Sequence, residues 1–267
     1  MSRPCFAIID TRAFVANYRH AKSLARGARA VAVIKANGYG HGAITLGRAL
    51  AAEADAFAVA SCEEALELRE SGIDNPILLL EGPFEPGEIT DAVHHRLMPV
   101  VHSHKQVDWL LSARPARPLD LWLKVDTGMH RLGFEPRELA NAHARLSASP
   151  NIGQITLMSH FARADEVDAA ATERQLTLFH RSVGGIAAPV SLANSAAVSS
   201  TTLDPNQRNN TVTRTSTVEH SADLSIDKNV SRDPVVAKLA YTKLAVQNVP
   251  PGFTKTMLPV FMPRESI

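Results

Sequence analysis

Short apolar runs recur along the chain, each followed by a polar or amphipathic segment. They are VAVIK (31–35), AFAVA (56–60), PILLLE (76–81), LMPVVH (97–102), LDLWLKVD (119–126), QITLMSH (154–160) and PVSLANS (189–195). Runs that do not alternate fit strands buried on both faces, as in a parallel sheet. Between them lie stretches of helical texture: TLGRALAAEA (45–54), EEALELRESG (63–72), RELANAHARLSA (137–148) and ATERQLTLFHRSV (171–183). Gly72 stands where one helix would close and Pro136 where another would open. Seven strand candidates with intervening helices predict an α/β chain folded as a (β/α) barrel of the TIM type. A full barrel needs an eighth strand.

The pattern stops before supplying it. After Val198 the chain runs through SSTTLDPNQRNNTVTRTSTVEHSADLSIDKNVSRDP (199–234), rich in Ser, Thr and Asn and without glycine. That composition favours a loose segment over a packed one. Residues 235–249, VVAKLAYTKLAVQNV, read as one amphipathic helix that Pro250 and Pro251 would end. The expected organisation is a barrel domain over 1–198 and a divergent tail over 199–267. An incomplete barrel leaves two strand edges open. Nothing in the tail's pattern shows that it covers them.

Composition removes several classes of function. With 28 basic and 27 acidic residues, the formal charge is +1, so no strong field recruits nucleic acid or an anionic membrane. No segment is long enough to span a bilayer, and the apolar run before Asp10 is too short for a signal-peptide core. Cys5 and Cys62 fit no metal or redox spacing. A cytoplasmic protein is the expectation.

Candidate chemistry gathers where the runs end. Lys35 ends the first run, Lys124 and Asp126 the fifth, His160 the sixth, and Asn194 and Ser195 the seventh. In a parallel barrel these ends share one rim, where active sites form. Each residue alone has a bland reading as a solvated lysine or a structural histidine; their coincidence at equivalent ends points to a site. A lysine flanked by apolar strand residues loses proton affinity by desolvation and becomes a nucleophile able to form a Schiff base with an aldehyde such as that of pyridoxal phosphate. The glycines after Lys35 let the loop approach a bulky ligand, with Tyr39 and His41 as polar contacts. The loop is neither a P-loop nor a dinucleotide fingerprint.

The stretch AVIKANGYGHGA (32–43) resembles the pyridoxal-phosphate attachment signature of bacterial alanine racemases. LLLEGPF (78–84), LWLKVDTGMHRLGF (121–134), LMSHFARADE (157–166) and SLANSAAV (191–198) resemble further blocks of that family, in its order, so the resemblance covers residues 4–198. It implies the N-terminal barrel of that family, with pyridoxal phosphate as cofactor and alanine as substrate. It further implies that Lys35 carries the cofactor and moves the α-proton on one face. Tyr39 would contact the phosphate, Arg131 would place the substrate carboxylate, and His160 would stack on the pyridine ring. Asn194 and Ser195 would sit near the ring and phosphate, and Lys124 matches a position often carbamylated.

Past Val198 the resemblance ends. The family's eighth strand, its ring-nitrogen arginine and its C-terminal domain, whose tyrosine serves the opposite face across a homodimer, have no counterpart block here. Tyr241 lies in unlike surroundings and does not inherit that role. The other reading of such a chain is a non-catalytic cofactor-binding or carrier protein, or an inactive racemase fragment.

Overall fold

A computed structural model of the chain describes residues 9–24, 28–164, 170–193 and 243–248. Helix α1 (Thr11–Leu24) precedes β1 (Arg29–Val33), and six further strands follow in order around the sheet. These are β2 (Ala56–Val59), β3 (Ile77–Leu79), β4 (Leu97–Val101), β5 (Leu119–Lys124), β6 (Ile152–His160) and β7 (Val190–Ala193). Each pairs in parallel with the next. The connections hold α2 (Lys35–Tyr39), α3 (Ala43–Leu50), α4 (Cys62–Glu70), α5 (Glu88–His94), α6 (His104–Ser112), α7 (Leu139–Ser147) and α8 (Ala170–Val183). The seven expected parallel strands are present. Sequence texture had shown the helices α3, α4, α7 and α8; α1, α5, α6 and the short α2 are additional.

Two apolar layers follow from the two-residue period of the strands. Val31, Val33, Ala56, Ala58, Leu78, Val100, Trp122 and Met158 form a cluster built from strand residues, which fills the barrel interior. Their strand neighbours Ala32, Phe57, Ile77, Val101, Leu123 and Leu157 belong to the other cluster, with Leu46, Leu50 and Leu68 from the helices. Both faces of the strands are therefore dry, which explains runs without alternation. Helix α1 joins the outer layer through Phe14, Tyr18 and Ala21, spaced along one face. Asp10 caps it, its Oδ1 accepting the N–H groups of Arg12 (3.0 Å) and Ala13 (3.1 Å).

The eighth position is filled from the tail. Strand β8 (Lys243–Asn248) lies antiparallel between β7 and β1, in register from Val190↔Asn248 to Ala193↔Ala245 and from Arg29↔Gln247 to Val33↔Lys243. This corrects the helix expected at 235–249 for residues 243–248; the remainder of 199–267, like the boundary at 198, lies outside the described residues. So do residues 5–8 of the opening apolar run. The reason for the correction is tertiary. The outer edges of β1 and β7 each present a row of backbone donors and acceptors, and a strand satisfies both rows where a helix satisfies neither. The barrel is thus incomplete in its parallel strands yet closed by an antiparallel one.

If β8 closes the barrel, Val246→Pro, at the residue paired with both Ala30 and Leu192, removes a ladder donor and breaks the seam. Hydrogen exchange is then expected to quicken in β1 and β7 while β3 and β4, across the barrel, keep their protection.

Candidate active site

The C-terminal rim of the barrel begins at Lys35. Ile34 still pairs with β2, its N–H donating to Ala58 O at 2.9 Å, and Lys35 follows at once. The backbone then enters the left-handed region for five residues: Ala36 (φ 51°, ψ 51°), Asn37 (53°, 46°), Gly38 (63°, 36°), Tyr39 (φ 55°) and Gly40 (84°, 1°). Such a run costs roughly 1–2 kcal/mol for each residue that carries a Cβ. Hydrogen bonds hold it: Gly38 N–H to Ile34 O (2.8 Å), Gly40 N–H to Ala36 O (3.0 Å) and Gly42 N–H to Asn37 O (2.8 Å). Asn37 Oδ1 also accepts the Ala43 N–H at 2.9 Å, and Glu64 Oε1 accepts the Ala36 N–H at 2.7 Å. Gly38 is required for space as well as for its φ, because a Cβ there would lie 2.8 Å from Leu46 Cδ1. The turn brings Tyr39 onto the interior cluster at the mouth.

Lys124 ends β5 and is only 5% exposed. Burial first, then the positive charges of Arg131 and Lys35, push its ammonium down to about 8, while Asp126 and Glu81 oppose them. Three cations therefore share this rim. Arg131 stands on the loop that leaves β5 and returns, with Phe134 N–H bonded to Lys124 O (2.8 Å) and Asp126 N–H to Phe134 O (2.9 Å). Asp126 shapes the loop: its Oδ1 accepts the N–H groups of Gly128, Met129 and His130 at 2.9, 3.0 and 3.1 Å. Burial alone would raise that carboxyl, yet the three donors hold it below its ordinary value.

His160 ends β6, and Arg131 Nη2 lies 3.5 Å from its Nδ1. The backbone around it is fixed by Gln175 of α8, buried to 4% exposure. Gln175 accepts the Ala162 N–H at 2.8 Å and donates to His160 O at 3.1 Å and to Thr127 Oγ1 at 3.3 Å. Thr127 Oγ1 in turn lies 2.7 Å from Ser159 Oγ, which donates to Val125 O. His102, at the end of β4, sits 2.9 Å from Glu81 O through Nε2. Burial lowers its proton affinity, the Glu81 bond opposes this, and the Lys124 charge lowers it further.

The rim thus unites Lys35, Lys124, Arg131 and His160 from three strands, as the strand ends had suggested, with Tyr39 beside them. Asn194 and Ser195 lie outside the described residues. Gln175, Glu64 and His102 were not singled out from the sequence. Glu64 had a signal, since Ser61 and Glu64 are spaced as a helix capping pair; Gln175 showed only as a polar residue on a helix.

Residues 9–214 match the family described as alanine racemase, N-terminal domain. The chain belongs to this family. It is 54% identical over 196 residues to the catabolic alanine racemase of Pseudomonas aeruginosa, a span covering 73% of this chain and 55% of that protein. The alanine racemase of Azoarcus sp. matches at the same identity and coverage. The chain spans about half the length of these curated relatives. Among solved structures, the biosynthetic alanine racemase of P. aeruginosa superposes with a TM-score of 0.67 at 44% identity, covering 71% of this chain and 52% of that one. A histidine racemase from Leuconostoc mesenteroides, 24% identical with a TM-score of 0.62 over 71% of this chain and 52% of its own, shares the fold alone. The family match extends past residue 198, where the recognisable motifs end. Relatives named as racemases do not favour the carrier reading.

The burial of Lys124 has a measurable cost. With a folded value near 8 against 10.5 for the ordinary amine, the unfolded chain binds the proton more tightly. The penalty, roughly 3 kcal/mol at 1.4 kcal/mol per tenfold change in proton affinity, is fully present below pH 8 and fades as pH rises toward 10.5. Denaturant unfolding in carbon-dioxide-free buffer is expected to find Lys124→Met more stable than wild type at pH 7, with the gap closing above pH 8.

Proposed function

We propose that the chain takes part in pyridoxal-phosphate-dependent racemisation of L- and D-alanine, with Lys35 bearing the cofactor. The observation that carries this reading is the convergence of Lys35, Lys124, Arg131 and His160 on one rim, where burial and then two neighbouring cations lower the proton affinity of Lys124. A phosphate dianion and an amino-acid carboxylate call for such surroundings, so the residues present fit the cofactor and its substrate. The relatives named as alanine racemases supply the choice of substrate; the shared fold of a histidine racemase shows that the barrel alone does not make that choice.

When bound, pyridoxal phosphate draws electron density from an attached amino acid and acidifies its Cα–H. The protein's part is positional and protonic. Lys35 is the nucleophile for the cofactor aldehyde, and its freed amine takes and returns the α-proton on one face. Arg131 would pair with the substrate carboxylate, Tyr39 would donate its hydroxyl to the phosphate, and His160 would be the flat neighbour of the ring. By the family resemblance, Asn194 and Ser195 would complete the ring and phosphate surroundings. One base returns a proton only to the face it came from, so inversion needs a second group on the other face. In the family a homodimer partner brings that group from the C-terminal domain, for which this sequence shows no counterpart block. The buried free thiol of Cys62 suits the reducing cytoplasm in which we place the reaction.

Lys124 has a further part in this reading. A buried amine with a value near 8 carries an appreciable neutral fraction at neutral pH, and the neutral amine adds to carbon dioxide with loss of a proton. The resulting carbamate would set an anion against the charges of Arg131 and Lys35.

Borohydride trapping with pyridoxal phosphate, followed by peptide mapping, is expected to label Lys35. Lys35→Ala should abolish that label and lower conversion of L- to D-alanine by about 1000-fold or more. Label on another lysine, or undiminished turnover in Lys35→Ala, would sink the assignment.

A further inference from the structure

Residues Ser61-Cys62-Glu63-Glu64 open α4 with the spacing of a capping box, in which the glutamate folds back onto the N–H of the serine. Here Glu64 is diverted. Its Oε2 accepts the Ala60 N–H at 2.7 Å, and its Oε1 accepts the Ala36 N–H at 2.7 Å. One carboxylate thus ties the residue after β2 to the residue directly after Lys35. Ala36 is itself exposed, so its N–H has no burial to keep it in place. It is also the first of the four left-handed residues that carry the chain from Lys35 to Tyr39. The far end of that run is secured by Asn37, through its backbone oxygen to Gly42 and its side chain to Ala43. Glu64 supplies the side-chain anchor at the near end.

We propose that Glu64 is a positioning residue for Lys35 and Tyr39, clamping the left-handed turn so that both side chains meet at the barrel mouth. The inference rests on the reading of Lys35 as the cofactor-bearing lysine. Its chemistry is specific to a carboxylate. Two N–H donors face two acceptor oxygens, and both bonds are charge-assisted. A glutamine at this position offers one oxygen and turns its own N–H₂ toward the other donor, so it can serve Ala36 or Ala60 but not both. Glu63, one residue earlier, turns to Ser61 instead and serves as a control.

The test uses the full chain without cofactor. Hydrogen exchange reads the Ala36 amide, and borohydride trapping at timed intervals reads the rate at which pyridoxal phosphate modifies Lys35. The wild-type Ala36 amide is expected to be protected despite its exposed position. Glu64→Gln should lose that protection and slow the modification of Lys35 roughly tenfold, whereas Glu63→Gln changes neither. An unprotected Ala36 amide in the wild type overturns the clamp, and that measurement stands even if Glu64→Gln does not fold. A folded Glu64→Gln with an unchanged Lys35 rate overturns it equally. A wild type that is never modified at Lys35 defeats the cofactor reading instead, while exchange at Ala36 still decides whether Glu64 anchors the turn.

Discussion

Parallel strands closed into a barrel alternate strictly between a packed interior and a packed exterior, and the rim inherits that alternation. Val31 and Val33 belong to the interior cluster, and the next residue on their register is Lys35. Trp122 and then Lys124 follow the same rule on β5, as do Met158 and then His160 on β6. The interior ends in polar groups because each strand runs out of apolar partners at the same level. A slip of one residue in any strand would send its rim group to the helical layer instead. The register of the barrel, fixed by dry packing on both faces, therefore sets the chemistry of its mouth.

That mouth concentrates like charge at a cost. Lys124 is buried beside Lys35 and Arg131, and its lowered proton affinity measures how poorly the isolated protein accommodates the third cation. Charges packed this way favour an anion among them, and the same electrostatics supports both phosphate and carboxylate binding. Asp126 offsets the cluster only in part, its charge opposing the effect of burial and of the two cations on Lys124. Its Oδ1 accepts the N–H groups of residues 128–130, so the same carboxylate also shapes the loop that presents Arg131.

Two supports hold the rim against the rest of the fold. On one side, Glu64 and Asn37 fasten a backbone that its own torsions disfavour. On the other, Gln175 with Thr127 and Ser159 joins the ends of β5 and β6, and through them the loop of Arg131 and the backbone of His160. Both supports come largely from helices α4 and α8, whose outer-layer packing thus reaches the site through single polar side chains.

Much of this was legible in the sequence, and the limits were physical. Unbroken apolar runs located all seven parallel strands because burial on both faces leaves no other texture, and Lys35, Lys124 and His160 stood out because each closes such a run. The partners of Glu64 and Gln175 stayed hidden: the capping spacing of Ser61 and Glu64 marks a helix start, but a helix-start glutamate and a helical glutamine look alike whether they face water or a distant backbone. The helix expected at 235–249 gave way to a strand at Lys243–Asn248 because local periodicity counts only near neighbours, whereas the free edges of β1 and β7 lie far beyond that window, roughly 210 and roughly 50 residues back along the chain. The sequence by itself determined the strand layers and which residues end them, since burial is written into composition run by run. The tertiary structure alone decided which polar groups meet, what closes the barrel and where Glu64 sends its oxygens, because those depend on contacts between segments that no local pattern records.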